Sequence, residues 1–297
     1  MFIWEHKALA RLIALIGLSF ILLLCWWAGR RYETGDPYRR SQQHTTAEEI
    51  NINFPFLAVT PLDQVAQLTD AVDMDLSAYP ADVEITEGGQ YRLHGTLNGT
   101  IHINAKEQNV QLFLDNAAVA SRLGPALYCE EADKLVITLL PGTENTFYDS
   151  GKYPMGDELE ACIYSVCDMT FNGSGSLTVN GYYKDAIRSR DIAKILDGNY
   201  TITCKRTGIH GNDGLFLSGG QYMISSEKYG LKTTKFGAEG RGNLVVSDCD
   251  MTIIAGRNAF VTEKANLYIL KSVINQRSIV SPYDVGGSRY IQEGCVQ

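Results

Sequence analysis

From Val83 to the C-terminus the chain alternates apolar and polar positions in short runs, cut by Gly, Asn and Asp. That period-two pattern predicts strands joined by tight turns. The runs also resemble one another. Ala126-Leu127-Tyr128-Cys129, Cys162-Ile163-Tyr164-Ser165, Ala186-Ile187-Arg188-Ser189, Gly208-Ile209-His210-Gly211, Gly230-Leu231-Lys232-Thr233 and Ala259-Phe260-Val261-Thr262 share one order: small, large apolar, variable, small. Their apolar centres are separated by 36, 24, 22, 22 and 29 residues. A period near 22 residues with several short strands and no helix is the length of one β-helix coil, and the longer outer intervals imply loops inserted into coils. Gly175, Gly198 and Gly220 repeat in step, each followed by an alternating strand. Leucine-rich repeats have a similar period, but their L-x-x-L-x-L-x-x-N signature is absent. The expected fold is all-β, a right-handed parallel β-helix over residues 83–297.

Upstream the pattern changes twice. A Thr60-Pro61 start signal precedes Leu62, Val65, Leu68 and Val72 at helical spacing, which predicts a short capping helix over 60–74 inside an N-terminal cap of residues 59–82. Such a cap would cover the exposed edge of the first coil. Residues 12–28 form an uncharged apolar run ending in Trp26 and Trp27, which predicts an N-terminal transmembrane helix within a signal-anchor of residues 1–29. A removed signal peptide is the alternative, although no clean A-x-A site follows. Residues 30–58 are polar and without periodicity, and read as a stalk or linker. Arg30, Arg31, Arg39 and Arg40 follow the span, so flanking charge alone would place the bulk of the chain in the cytoplasm.

Composition adds three constraints. Gly is frequent and Pro scarce, 28 against 8, as a turn-rich fold requires. The net charge of −8 argues against a nucleic-acid partner. Cys25 lies in the span; Cys129, Cys162, Cys167, Cys204, Cys249 and Cys295 lie beyond it, with disulfides and buried free thiols both open. No metalloprotease, nucleophile-elbow, phosphate-loop or dinucleotide motif is present.

The register also predicts outward columns. The position after each apolar centre reads Tyr128, Tyr164, Arg188, His210, Lys232 and Val261, and a second column reads Lys184, Arg206 and Lys228. Stacked like charges repel unless something anionic neutralises them. One reading is a binding strip for an acidic polysaccharide, with Arg and Lys meeting carboxylates and the tyrosines packing on sugar rings. The other is a solvated face whose charge is cancelled by neighbouring acids. Asp133, Asp168, Asp191 and Asp213 form an acidic column. They read as turn caps, or, for Asp168, Asp191 and Asp213, as metal ligands holding Ca2+ between coils.

Residues 89–99 (GQYRLHGTLNG) are similar to the opening strand of the carbohydrate-binding β-helix proteins of clostridial cell surfaces. Residues 109–116, 132–139, 142–149, 172–181 and 208–213 look like the segments that follow it there. The resemblance covers roughly residues 83–262. It implies a pectate-lyase-like fold used as a binding module for cellulose or polygalacturonate, displayed at the cell surface. The family's coils often carry Asp-Gly before the apolar centre. Here those positions are Asp185-Ala186, Thr207-Gly208 and Tyr229-Gly230, a departure that weakens transfer of its calcium sites. The expected function is a membrane-anchored, non-catalytic binder of an extracellular polysaccharide. A calcium-dependent polysaccharide lyase and an adhesive surface protein are the alternatives.

Overall fold

Alternation sends every second side chain of each short run inward, and stacking the runs lets those side chains bury one another. The computed structural model describes residues 57–153, 158–235 and 241–297. The membrane span expected at 12–28 and the stalk up to residue 56 lie outside the described residues. Among the described residues, no helix is long and apolar enough to cross a membrane.

Each coil carries three strands. In one, Asp185–Ser189, Ile192–Ile195 and Asn199–Cys204 follow each other around the axis. Thr207–Gly211, Gly214–Ser218 and Gln221–Ser226 of the next coil lie on them in parallel. Repetition gives a parallel β-helix with three faces. The first face is a sheet of nine strands, from Val83–Ile85 to Tyr283–Val285. The second and third merge near the start of the stack into the long strand Asn109–Ala120, which pairs with Lys134–Leu139 over its first part and Glu144–Tyr148 over its last. Parallel stacking begins before residue 83, with Val72–Asp75 paired to residues 91–94.

The expected apolar centres form one inward stack. Leu127, Ile163, Ile187, Ile209, Leu231 and Phe260 are aligned strand to strand and at most 1% exposed. They belong to a continuous core running from Met74 to Cys295. Gly198 and Gly220 occupy the corner between the second and third faces with φ of 116° and 86°, a conformation that disfavours any side chain. The six described cysteines are free thiols, all buried except Cys167, which is half-buried.

The capping helix expected over 60–74 is reduced to one 3-10 turn, Pro61–Asp63. Thr60 does start it, donating its backbone N–H to Asp63 Oδ2 at 2.7 Å. The turn then ends because Asp63 is drawn onto the outer side of the second face. Its carboxylate meets Lys134, takes a hydrogen bond from Thr170 Oγ1 at 2.5 Å, and lies 3.2 Å from Lys194 Nζ. Leu57 packs on Ile192 and Val245 of the same face. Residues 57–63 are therefore a strap across several coils. Val65, Leu68 and Val72, expected on a buried helical stripe, are exposed.

Candidate functional site

Two corners of the first face are enlarged by the insertions that the long intervals predict. Residues 149–160 precede the strand Ala161–Ser165, and residues 234–243 follow Tyr229–Thr233. The strands of that face carry the outward column. The column has the predicted register: His102, Tyr128, Tyr164, Arg188, His210, Lys232 and Val261 are aligned strand to strand. Over the five positions from Tyr128 to Lys232 it extends about 19 Å at the usual strand spacing.

The central cations of the two basic columns are neutralised inside the protein. Glu160, at the end of the first insertion, pairs with Arg188, with Arg206 at 2.8 Å and with Lys184 at 3.3 Å. Asp185 is fully buried and grips Arg206 through both oxygens. Burial would raise its pKa, but bonds from Arg206 and His210 hold it below the usual carboxylate value. His210 is only 3% exposed, with Nδ1 3.3 Å from Asp185 and Nε2 3.3 Å from Thr234 Oγ1. Burial, aided by nearby Arg188 and Lys232, lowers its pKa to about 4, so at neutral pH it is not a cation of the strip. Arg188 is half-buried; burial and the neighbouring Arg206 and Arg190 bring its guanidinium down to about 10. Lys184, Arg188, Arg206 and His210, expected as a basic strip, thus have acidic partners within the protein. Sequence reasoning missed Glu160 because it sits in an insertion outside the repeat.

At either end of this network the column is open to chemistry. His102 and Tyr128 stack with ring centroids 5.1 Å apart and planes 7° from parallel; Tyr164 follows at 5.9 Å, tilted 47°. His102 is oriented by Glu84 at 2.8 Å and Glu130 at 2.9 Å, one on each ring nitrogen. Tyr128 is half-buried, whereas Tyr164 is 4% exposed and offers little surface. Burial, then Glu130, pushes the Tyr128 hydroxyl up to about 12, so it remains a neutral donor. At the other end, the Lys232 ammonium lies 5.3 Å from the Tyr229 ring centroid and 4.0 Å from Glu263. Lys228 is exposed and makes no ion pair among the described residues.

Asp168, Asp191 and Asp213 of the acidic column meet other groups of the protein. Asp168 Oδ1 accepts from the backbone of Ile192 on the next coil at 3.1 Å, a bond between coils and not a cap of its own turn. Asp213 is paired with Arg241 and with Lys235 at 3.3 Å, and Asp191 lies 3.7 Å from Arg241. Burial, and then Asp168 and Asp213, raise the Asp191 pKa. No group of three or more His, Cys, Asp or Glu among the described residues is suited to hold a metal ion.

Comparison with known proteins decides the family. Residues 80–279, most of the chain, match the family model described as carbohydrate-binding domain-containing protein. The chain belongs to that family. A carbohydrate-binding domain-containing protein of Acetivibrio thermocellus is 36% identical over 139 residues, which are 45% of this chain and 48% of that protein. The chain thus spans about half the length of the relative it matches. A solved structure described as the polysaccharide lyase-like protein from C. thermocellum, a gadolinium derivative, superposes with a TM-score of 0.71 at 26% identity. It covers 75% of this chain and 97% of that one.

Proposed function

We propose that this carbohydrate-binding domain holds an extended polysaccharide along the outer side of its first face, without cleaving it. The observation that carries the reading is the His102–Tyr128 pair, two half-buried outward aromatic side chains aligned on adjacent coils of a rigid sheet. Sugars pack on the exposed parts of such aromatic side chains, and contact area on rigid rings costs little conformational entropy. Lys232 and Lys228 lie further along the track and suit the carboxylates of a pectin-like, uronate-bearing chain. A cellulosic chain would use the platform alone. We place the domain outside a membrane to which residues 12–28 anchor it. That placement is supported by the apolar run and the clostridial resemblance, against the flanking charge.

Titrating polygalacturonate and soluble cello-oligosaccharides against the wild-type chain and Tyr128→Ala tests this. Binding that weakens in the variant without loss of folding supports the track. Equal binding by both proteins places the ligand elsewhere.

A polysaccharide lyase is the second reading, favoured by Arg188, whose lowered pKa and central position suit a base beside a uronate. Its pairing to Glu160 keeps the guanidinium charged and occupied. Release of unsaturated uronides, detected by ultraviolet absorbance, would overturn the binding-only reading.

A further inference from the structure

Cys129 and Cys167 belong to neighbouring coils at the corner between the first and second faces. Cys129 is aligned with Ser165, and two residues later the chain turns so that Cys167 Sγ comes to 3.8 Å from Cys129 Sγ. Ser165 Oγ lies 3.3 Å from Cys167 Sγ and donates to the Cys167 carbonyl at 3.0 Å, fixing that corner. The other thiols are engaged differently. Cys249 donates to the carbonyls of Ser247 and Gly219 at 3.1 and 3.3 Å, and Cys295 accepts from the backbone of Ser272 at 3.4 Å.

We propose that Cys129 and Cys167 form a modification site, a dithiol that closes to a disulfide between adjacent coils by exchange with a small-molecule disulfide. Cys167 attacks first. It is half-buried, and the hydrogen bond from Cys129 lowers its pKa, whereas that same contact and burial raise the pKa of Cys129. The thiolate is the nucleophile. Cys167 Sγ bonds to one sulfur of the small disulfide, whose S–S bond breaks. The departing thiolate takes the proton that Cys167 gave up. Cys129 then attacks Cys167 Sγ, expels the second small thiolate and transfers its proton to it. Two protein thiols are oxidised and one small disulfide is reduced to two thiols. Closure from the observed separation to a bonding distance requires a movement of about 2 Å, within reach of a corner residue.

The bond would tie the coil carrying Tyr128 to the coil carrying Tyr164. It would also close a loop of the chain from Cys129 to Cys167 that contains the 149–160 insertion. The inference stands independently of which glycan binds.

Incubating the full chain with oxidised glutathione and recording intact mass and peptide maps is the test. The expected result is loss of two hydrogen atoms, reversed by reductant, with a linked peptide pair containing Cys129 and Cys167. Thermal midpoint should rise by about 5–10 °C. Cys129→Ser should instead retain a glutathione adduct on Cys167, and Cys167→Ser should leave Cys129 unmodified. No cross-link in the folded wild-type chain, or a link through a different cysteine, overturns the proposal. Because the decisive measurement uses the wild-type chain, a variant that fails to fold leaves the outcome readable.

Discussion

Asp185 and Arg206 meet through two parallel hydrogen bonds, Nε to Oδ1 at 2.7 Å and Nη2 to Oδ2 at 2.8 Å, at a carboxylate with no exposed surface. Asp185 Oδ1 also accepts from the backbone of Thr207 at 3.0 Å, so one side chain ties two adjacent coils together. The pair is structural in the first instance. Asp185→Ala should cost about 3–5 kcal/mol, because removing one partner leaves a desolvated charge behind. Urea denaturation of the variant measures this, and a loss under about 1 kcal/mol would show that the network does not bear on stability.

Asp63 makes a comparable prediction for the strap. It joins Lys134 and Lys194 on different coils, and Lys194 also donates to the Ala58 carbonyl at 2.6 Å. Asp63→Ala should lower stability by about 3–5 kcal/mol, since both lysine side chains are largely buried. Replacing the set by Asp63→Leu, Lys134→Met and Lys194→Met should recover most of it, because well-packed apolar groups substitute for a buried ion cluster. Burial raises the Asp63 pKa, but hydrogen bonds from Lys134, Thr170 and Thr60 outweigh it and lower the value from 3.8. The resulting stabilisation is present above pH 3.8 and is lost as acid protonates the folded carboxylate. Chemical denaturation of wild type and Asp63→Ala on lowering the pH from 6 should therefore converge only in strong acid.

The repeat was legible because burial acts on every coil alike. Ile163, Ile187, Ile209 and Leu231 are spaced by the coil length and fall into one aligned inner stack. The outer columns were legible in position for the same reason. Their charge state was not. Glu160 lies in an insertion and reaches Arg206 across 46 residues, a pairing that no periodicity encodes. Asp185 begins its strand at a buried position that the adjoining coils fill with the uncharged Ala161 and Thr207, so it is its charge that departs from its neighbours. The segment 60–74 misled for a different reason. Leu62, Val65, Leu68 and Val72 have helical spacing, but Asp63 gains more from two lysines and a threonine on the second face than a solvent-exposed helix gains from a short amphipathic stripe.

His210 predicts a pH dependence of stability. Its folded pKa, about 4, lies below the ordinary 6.5, so the fold favours the neutral ring. The contribution is complete above pH 6.5 and declines as the pH falls towards 4, reaching roughly 3 kcal/mol lost. Carboxylates face the ring from Asp185; cations face it from Arg188 and Lys232, and the Thr234 hydroxyl closes the other side. His210→Gln should flatten the fall in thermal midpoint between pH 7 and 4.5. An identical pH profile in the variant would assign that fall to other groups.

Salt and substitution together separate the two ends of the binding track. Amines at the half-buried Lys232 and the exposed Lys228 act through charge, so their contribution is screened within about 8 Å at physiological ionic strength. Lys232→Ala should weaken polygalacturonate binding by roughly tenfold at low salt, equivalent to about 1.4 kcal/mol, and by much less in concentrated salt. Stacking on His102 and Tyr128 is not screened. Tyr128→Ala should therefore weaken binding by about 3–10-fold at either salt concentration, for uronate and neutral chains alike. Calorimetric titrations of both variants at two ionic strengths measure the difference. If Lys232→Ala loses as much affinity for cello-oligosaccharides as for polygalacturonate, the amine is not reading a carboxylate and the ligand's acidic character has to be abandoned. If only Tyr128→Ala has an effect, with no dependence on salt, the track is a stacking surface for neutral glycan. The internal pairing of Arg188 and Arg206 with Glu160 then explains why so basic a stretch of sequence attracts no polyanion.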